Sequence, residues 1–157
     1  MNDQPSGAPD GAGLLTAPNV IEYPFRRTTG PVVGAWFTGL REQVLVGVRA
    51  SDGRVLCPPI ESDPATGEDL SEVVEVGPAG TVTSWTWNSA PSADQPLSEP
   101  FAWALIRLAG ADTDVLAAVA AGGPDAMSVG MSVVPRWADE RDGSPADLVC
   151  FDPEGGA

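Results

Sequence analysis

The 157-residue chain contains no histidine and no lysine, and its eight basic residues are all arginine. Those absences remove the His-based triad, the His general base, the Schiff-base or pyridoxal lysine and the lysine of a P-loop. Carboxylates, one tyrosine and two cysteines remain for proton transfer or nucleophilic attack. Self-contained catalysis is therefore not the expected activity. Cys57 and Cys150 share no metal-type spacing, and two cysteines in a chain of this size do not read as a disulfide framework. They read as isolated buried thiols. No apolar run reaches membrane-spanning length, and the start lacks the basic and apolar regions of a signal peptide, so a cytoplasmic protein with no membrane partner is expected. Basic charge is also scarce. A net charge of −14 leaves no basic stripe for a phosphate backbone, so no nucleic-acid partner is expected. It suits a partner with a basic or apolar docking surface.

What the chain does contain is 43% apolar residues in an ordered series of short segments, the composition of a globular protein. Residues 1–19 are rich in Gly, Pro, Ala and Asp and read as a disordered tail. Residues 20–45 read as an extended piece, Val20 to Phe25, followed by a helix. The helix opens at Thr28-Thr29-Gly30-Pro31, where threonine capping and an early proline are expected. Val33, Trp36, Phe37 and Leu40 then fall on one face at i, i+3, i+4 and i+7. Such an aromatic stripe serves either the chain's own core or a partner.

Residues 46–76 have the layout of a small zinc ribbon without its cysteines. One knuckle lies at Asp52-Gly53 and a second at Asp63-Pro64-Ala65-Thr66-Gly67, with a short strand through Arg54-Val55-Leu56 between them. A ribbon holds zinc with a C-x-x-C pair at each knuckle. Here the corresponding residues are Arg49 or Ala50 with Asp52, then Asp63 with Thr66, so no metal is expected. Turn chemistry and an Arg49–Asp52 or Arg49–Asp63 ion pair are expected to replace part of the cross-link. An exposed pair contributes only about 0–1 kcal/mol, which makes help from a bound partner the expectation.

Residues 77–157 read as strands. Thr81–Trp87, Phe101–Leu108, Val115–Ala121, Met127–Val133 with an extension to Trp137, and Asp147–Phe151 are separated by turn residues and one proline-rich loop, 88–100. Five strands of this kind make a Greek-key barrel of OB type. The fold class is therefore mainly β: an N-terminal helix, metal-free ribbon-like hairpins, and a five-stranded OB barrel.

Gly39-Leu40-Arg41, Gly53 to Pro59, Val76 to Thr86, Pro100 to Leu108 and Gly130 to Val133, in that order, resemble the zinc-ribbon/OB-fold family once catalogued as domain of unknown function 35. The resemblance spans roughly residues 23–153. It implies a non-catalytic accessory subunit that binds and supports a thiolase-like, lipid-transfer-protein-type aldolase or acyltransferase acting on acyl-CoA, with steroid side-chain degradation as one setting. It further implies no cofactor of its own, only indirect contact with acyl-CoA, and a heterotetramer of two plus two. Trp36, Phe37, Leu40, Val55 and Leu56 are the candidate partner contacts.

A second reading is a stand-alone acyl-CoA-binding OB module. Arg107, Arg136 and Arg141 would then meet the phosphates, and Trp85, Trp87 or Trp103 would stack on adenine. Tryptophans on barrel strands more often belong to the core. Acid pairs such as Asp112 with Asp114, or Asp139 with Glu140, read as solvated turn residues rather than catalytic carboxylates.

Overall fold

Pro31–Glu42 forms a three-turn helix, α1, that packs on the first of the two β-sheets among the described residues. The computed structural model describes residues 28–155, so the tail expected at 1–19 and the extended piece at 20–25 lie outside the described residues. The first sheet contains β1 (Leu45–Arg49), β2 (Val55–Leu56) and β3 (Val73–Val76) in the order β2-β1-β3, all antiparallel. The second is a closed barrel of β4 (Gly80–Asn88), β5 (Phe101–Leu108), β6 (Asp114–Val119), β7 (Ser132–Trp137) and β8 (Leu148–Pro153). Its neighbour order, β4-β5-β6-β8-β7 with β7 returning to β4, is the expected OB arrangement.

Alternation sets the barrel's inside. Ala102, Ala104, Ile106 and Leu108 of β5 are buried, facing inward beside Val82, Val115, Val119, Val133 and Phe151. The boundary expected at residues 76 and 77 marks a change of sheet but not of core. Leu40 of the helix and Leu45, Val55, Cys57 and Val76 of the ribbon belong to the same buried cluster as the barrel residues. A smaller cluster of Val32, Val48, Ala50, Leu56 and Leu70 pins the start of the helix into the ribbon. The helix thus touches both layers, Val32 at one end and Leu40 at the other.

Two local expectations are corrected. The helix is not capped by threonine: Gly30 is the N-cap and makes no side-chain cap bond. Glu61, from the ribbon, accepts from the Val33 N–H at 2.8 Å and the Val32 N–H at 3.4 Å. A cap delivered from 28 residues away has no local sequence signature. The strand expected from Met127 is also absent at its start. Pro124–Ala126 makes a 3₁₀ turn, Gly130 takes φ +89°, and β7 begins only at Ser132. A left-handed glycine interrupts a pattern that looks like continuous alternation.

Candidate functional site

In an OB barrel, the outer face of the second and third strands and the loops beside it commonly take the ligand. Those strands are β5 and β6 here, and register pairs Trp103 with Ala118, Leu105 with Leu116 and Arg107 with Asp114 across the hairpin. The outward row is apolar until its last rung. Leu116 is 66% exposed and Leu105 39%, whereas Phe101 at the other end is fully covered. Phe101 meets Trp103 edge-to-face at 5.1 Å between ring centres, and Leu97 from the 88–100 loop packs over this cluster. Beside the stripe, an apolar slot of about 340 Å³ runs between β6, β8 and the helix. Trp36, Trp103, Leu116, Leu148 and the loop prolines Pro96 and Pro145 line it, and among the described residues no charged side chain does.

The slot exists because β6 and β8 separate. Their only paired positions are Val119 and Phe151, joined by the Ala120 N–H donating to the Phe151 carbonyl at 2.9 Å. From Asp114 to Ala118, β6 pairs only with β5 among the described residues. The loop between β7 and β8 borders this opening and is organised by Asp147, a buried carboxylate. Burial pushes its pKa up, but N–H groups of Gly143 at 2.8 Å, Asp142 at 3.2 Å and Ser144 at 3.3 Å hold it below the ordinary range. Arg141 in the same loop donates from Nε to the Arg41 carbonyl at 3.0 Å and from its guanidinium to the Ala138 carbonyl. It therefore ties the loop to the C-terminal turn of the helix, where a cation is favoured.

The ribbon carries a second built feature. Asp63 is 3% exposed. One carboxylate oxygen accepts from the Ser51 N–H of the first knuckle at 2.8 Å. The other accepts from Ala65 at 2.7 Å and Thr66 at 3.4 Å in its own knuckle. Hydrogen bonds from Ser51, then from Ala65, hold its pKa down to about 2. The expected ion pairs are corrected: Arg49 pairs with Glu72 at 2.7 Å, and Asp52 with Arg54 at 2.6 Å. The cross-link between knuckles is the Asp63 carboxylate, not an arginine. These residues do not fit zinc, since Asp63 is already saturated by N–H donors and Ala50, Asp52 and Thr66 supply no thiolate or imidazole. Among the described residues, no cluster of three or more His, Cys, Asp or Glu is placed to hold a metal. Asp63 thus supplies a cross-link between the knuckles from within the chain.

The sequence-derived site residues scatter. Trp36 lines the slot, and Phe37, also half-buried, packs against the main core. Leu40, Val55 and Leu56 are 1%, 6% and 5% exposed; Leu40 forms part of the slot's floor, and Val55 and Leu56 brace the surface from beneath. Arg107 pairs with Asp114, Arg136 with Asp152, and Arg141 serves backbone carbonyls. They lie at three different depressions and form no common phosphate site. Trp85 and Trp87 face inward at the barrel's end, leaving Trp103 as the barrel tryptophan on the outer face. Sequence reading missed Leu105 and Leu116. Their signal was a strand, Phe101 to Ile106, apolar on both faces rather than on one.

Both thiols are buried and inert. Burial pushes Cys57 up to about 12 and Cys150 to about 11. Among the described residues, no helix is long and apolar enough to cross a membrane.

Residues 73–138, from β3 to the end of β7, match a family model described as ChsH2, C-terminal OB-fold domain. Among solved structures the chain is similar to one described as Ltp2-ChsH2(DUF35) aldolase. Identity is 24% and the TM-score 0.59, over 82% of this chain and 98% of that one. It is also similar to a DUF35-family protein of unknown function from Sulfolobus solfataricus, at 24% identity and TM-score 0.54, over 68% of this chain and 78% of that one. No curated protein matches the sequence. The resemblance read from the sequence is borne out, in the barrel by the family model and across the described chain by fold.

Proposed function

We propose that this chain is a non-catalytic accessory subunit that docks on and supports a thiolase-like, lipid-transfer-protein-type enzyme acting on acyl-CoA. The observation that carries the reading is the barrel's ligand-taking face. It presents apolar side chains and a slot, with neither a basic funnel nor a group suited to chemistry. Surfaces with buried aromatic anchors are where protein interfaces concentrate their energy. The similarity to a chain from an Ltp2–ChsH2 aldolase supports a partner of that class.

In this reading Trp36, with Phe37 beside it, is the helix's contribution to the interface. Leu40, Val55 and Leu56 hold that helix and the ribbon in place. An arrangement of two accessory chains around a dimeric core is the symmetric expectation. The partner supplies the catalytic residues, and a steroid side-chain CoA ester is the substrate class tested first, against a straight-chain ester.

Co-expression with a thiolase-like subunit, followed by size-exclusion chromatography and activity measurement, tests the proposal. A stable complex with a more soluble or more active partner supports it. A chain that stays monomeric and leaves the partner's solubility and turnover unchanged overturns it.

A further inference from the structure

We propose that the open edge of β6 is a strand-addition site, taking an extended apolar segment flanked by basic residues from the partner protein. The inference rests on the accessory-subunit reading for the protein that carries the segment, but it names how and where that protein engages.

Three observations converge on this edge. The first is backbone: among the described residues Asp114–Ala118 is laddered to β5 on one side and to no strand on the other, although β6 lies within a closed barrel. An unpaired edge offers a row of N–H and C=O groups to an incoming strand. The second is protection. Edges facing water are ordinarily blunted by lysine, proline or inward charge, and Val115-Leu116-Ala117-Ala118-Val119 has none of these. Leu116, at the middle of the segment, is 66% exposed. The third is space, since the apolar slot of about 340 Å³ lies directly along that edge. A strand laid there would set one row of alternate side chains on the outer face beside Leu116 and Trp103, and the other row into the slot beside Val115 and Phe151.

Charge selects the occupant. The slot is uncharged, but the loops that contribute Pro96 and Pro145 also carry Asp94, Glu99, Asp139, Glu140 and Asp142, all exposed. The arginine that reaches this loop, Arg141, is committed to backbone carbonyls. An apolar segment with lysine or arginine at its ends complements both the slot and its rim. An acidic segment, or nucleic acid, does not.

Hydrogen exchange read by mass spectrometry tests this on the intact chain, alone at two concentrations and in complex with the thiolase-like subunit. In the complex, those amides of residues 115–118 that do not donate to β5 are expected to exchange at least tenfold more slowly, with those of β4 unchanged. Leu116→Lys, at an exposed position, is expected to weaken the complex at least tenfold without unfolding the chain. Raised salt is expected to weaken the wild-type complex as well. A complex that forms with β6 exchange unchanged, or that tolerates Leu116→Lys, overturns the inference and leaves the accessory role standing. No complex at all overturns both. Slow exchange of those same edge-facing amides in the isolated chain also overturns it: if lost on dilution it assigns the edge to a second copy, and if independent of concentration to cover from within the chain.

Discussion

The cap on α1 crosses from the ribbon, and it can be tested with two substitutions. Pro31 has no N–H and Gly34 already donates to the Gly30 carbonyl at 2.8 Å, so Val32 and Val33 hold the two early N–H groups that Glu61 serves. The bond to Val33 is short and charge-assisted; the one to Val32 at 3.4 Å adds little. Removing an N-cap acceptor costs about 0.5–2 kcal/mol, and one good bond places Glu61→Ala near 1 kcal/mol. Gly30 is the other half of the device. A Cβ built there would lie 2.2 Å from the Glu61 Cδ, a contact that only withdrawal of the carboxylate relieves. Gly30 has φ −69° and ψ 175°, an ordinary extended backbone, so alanine meets no local strain. Gly30→Ala should therefore cost about 1 kcal/mol where Glu61 is present and close to nothing in the Glu61→Ala background. The double mutant then resembles either single one, with a coupling energy of about 1 kcal/mol. Urea denaturation followed by tryptophan fluorescence measures each corner of the cycle. Costs that add, within about 0.3–0.5 kcal/mol, would refute the claim that glycine is there to admit the carboxylate.

Other outcomes follow from the same geometry. Asp63 has a folded pKa of about 2 against an ordinary 3.8, so its contribution is complete above about pH 4–5 and is lost as pH falls toward 2. Asp63→Asn should abolish that acid-limb dependence, as read by the pH profile of the denaturation midpoint, and an unchanged profile would contradict the lock. Gly80→Ala would put a Cβ 2.4 Å from Ile106 Cγ2 and 3.2 Å from the Arg107 carbonyl, where β4 meets both β5 and β7. Overpacking at that seam should cost about 1–3 kcal/mol in thermal or urea unfolding. With pKa values raised to about 12 and 11, Cys57 and Cys150 should resist a thiol reagent at neutral pH until the chain unfolds. Rapid labelling of the native protein would show that a buried position opens.

The barrel was legible because its signals are local. Phe101–Leu108 alternates with small and aromatic residues on opposite faces, and the observed β5 has the same bounds. Glycine and proline punctuate the strands, so element order and the OB arrangement follow from the chain itself. The working surfaces were less legible, for a physical reason. Glu61 caps a helix 28 residues away, and Asp63 serves a turn 12 residues away. Such partnerships depend on the fold having already brought the segments together. The stripe of Val33, Trp36, Phe37 and Leu40 was visible as a periodicity, but its split between buried Leu40 and half-buried Trp36 depends on where β8 and the β7–β8 loop stand. The three arginines look like a cationic set in the sequence. Register gives Arg107 and Arg136 a carboxylate on the neighbouring strand, and loop geometry turns Arg141 to the helix end.

The Asp63 bridge has a consequence beyond stability. A knuckle closed by thiolates and zinc answers to the supply of metal, to chelators that strip the metal from the sulfurs, and to oxidants that consume the sulfurs. A knuckle closed by one carboxylate on amide N–H groups answers to none of them, and protons reach it only in strong acid. The ribbon's shape has in this way been uncoupled from metal and redox chemistry. It stays assembled through swings in zinc or peroxide that would open a cysteine-built counterpart.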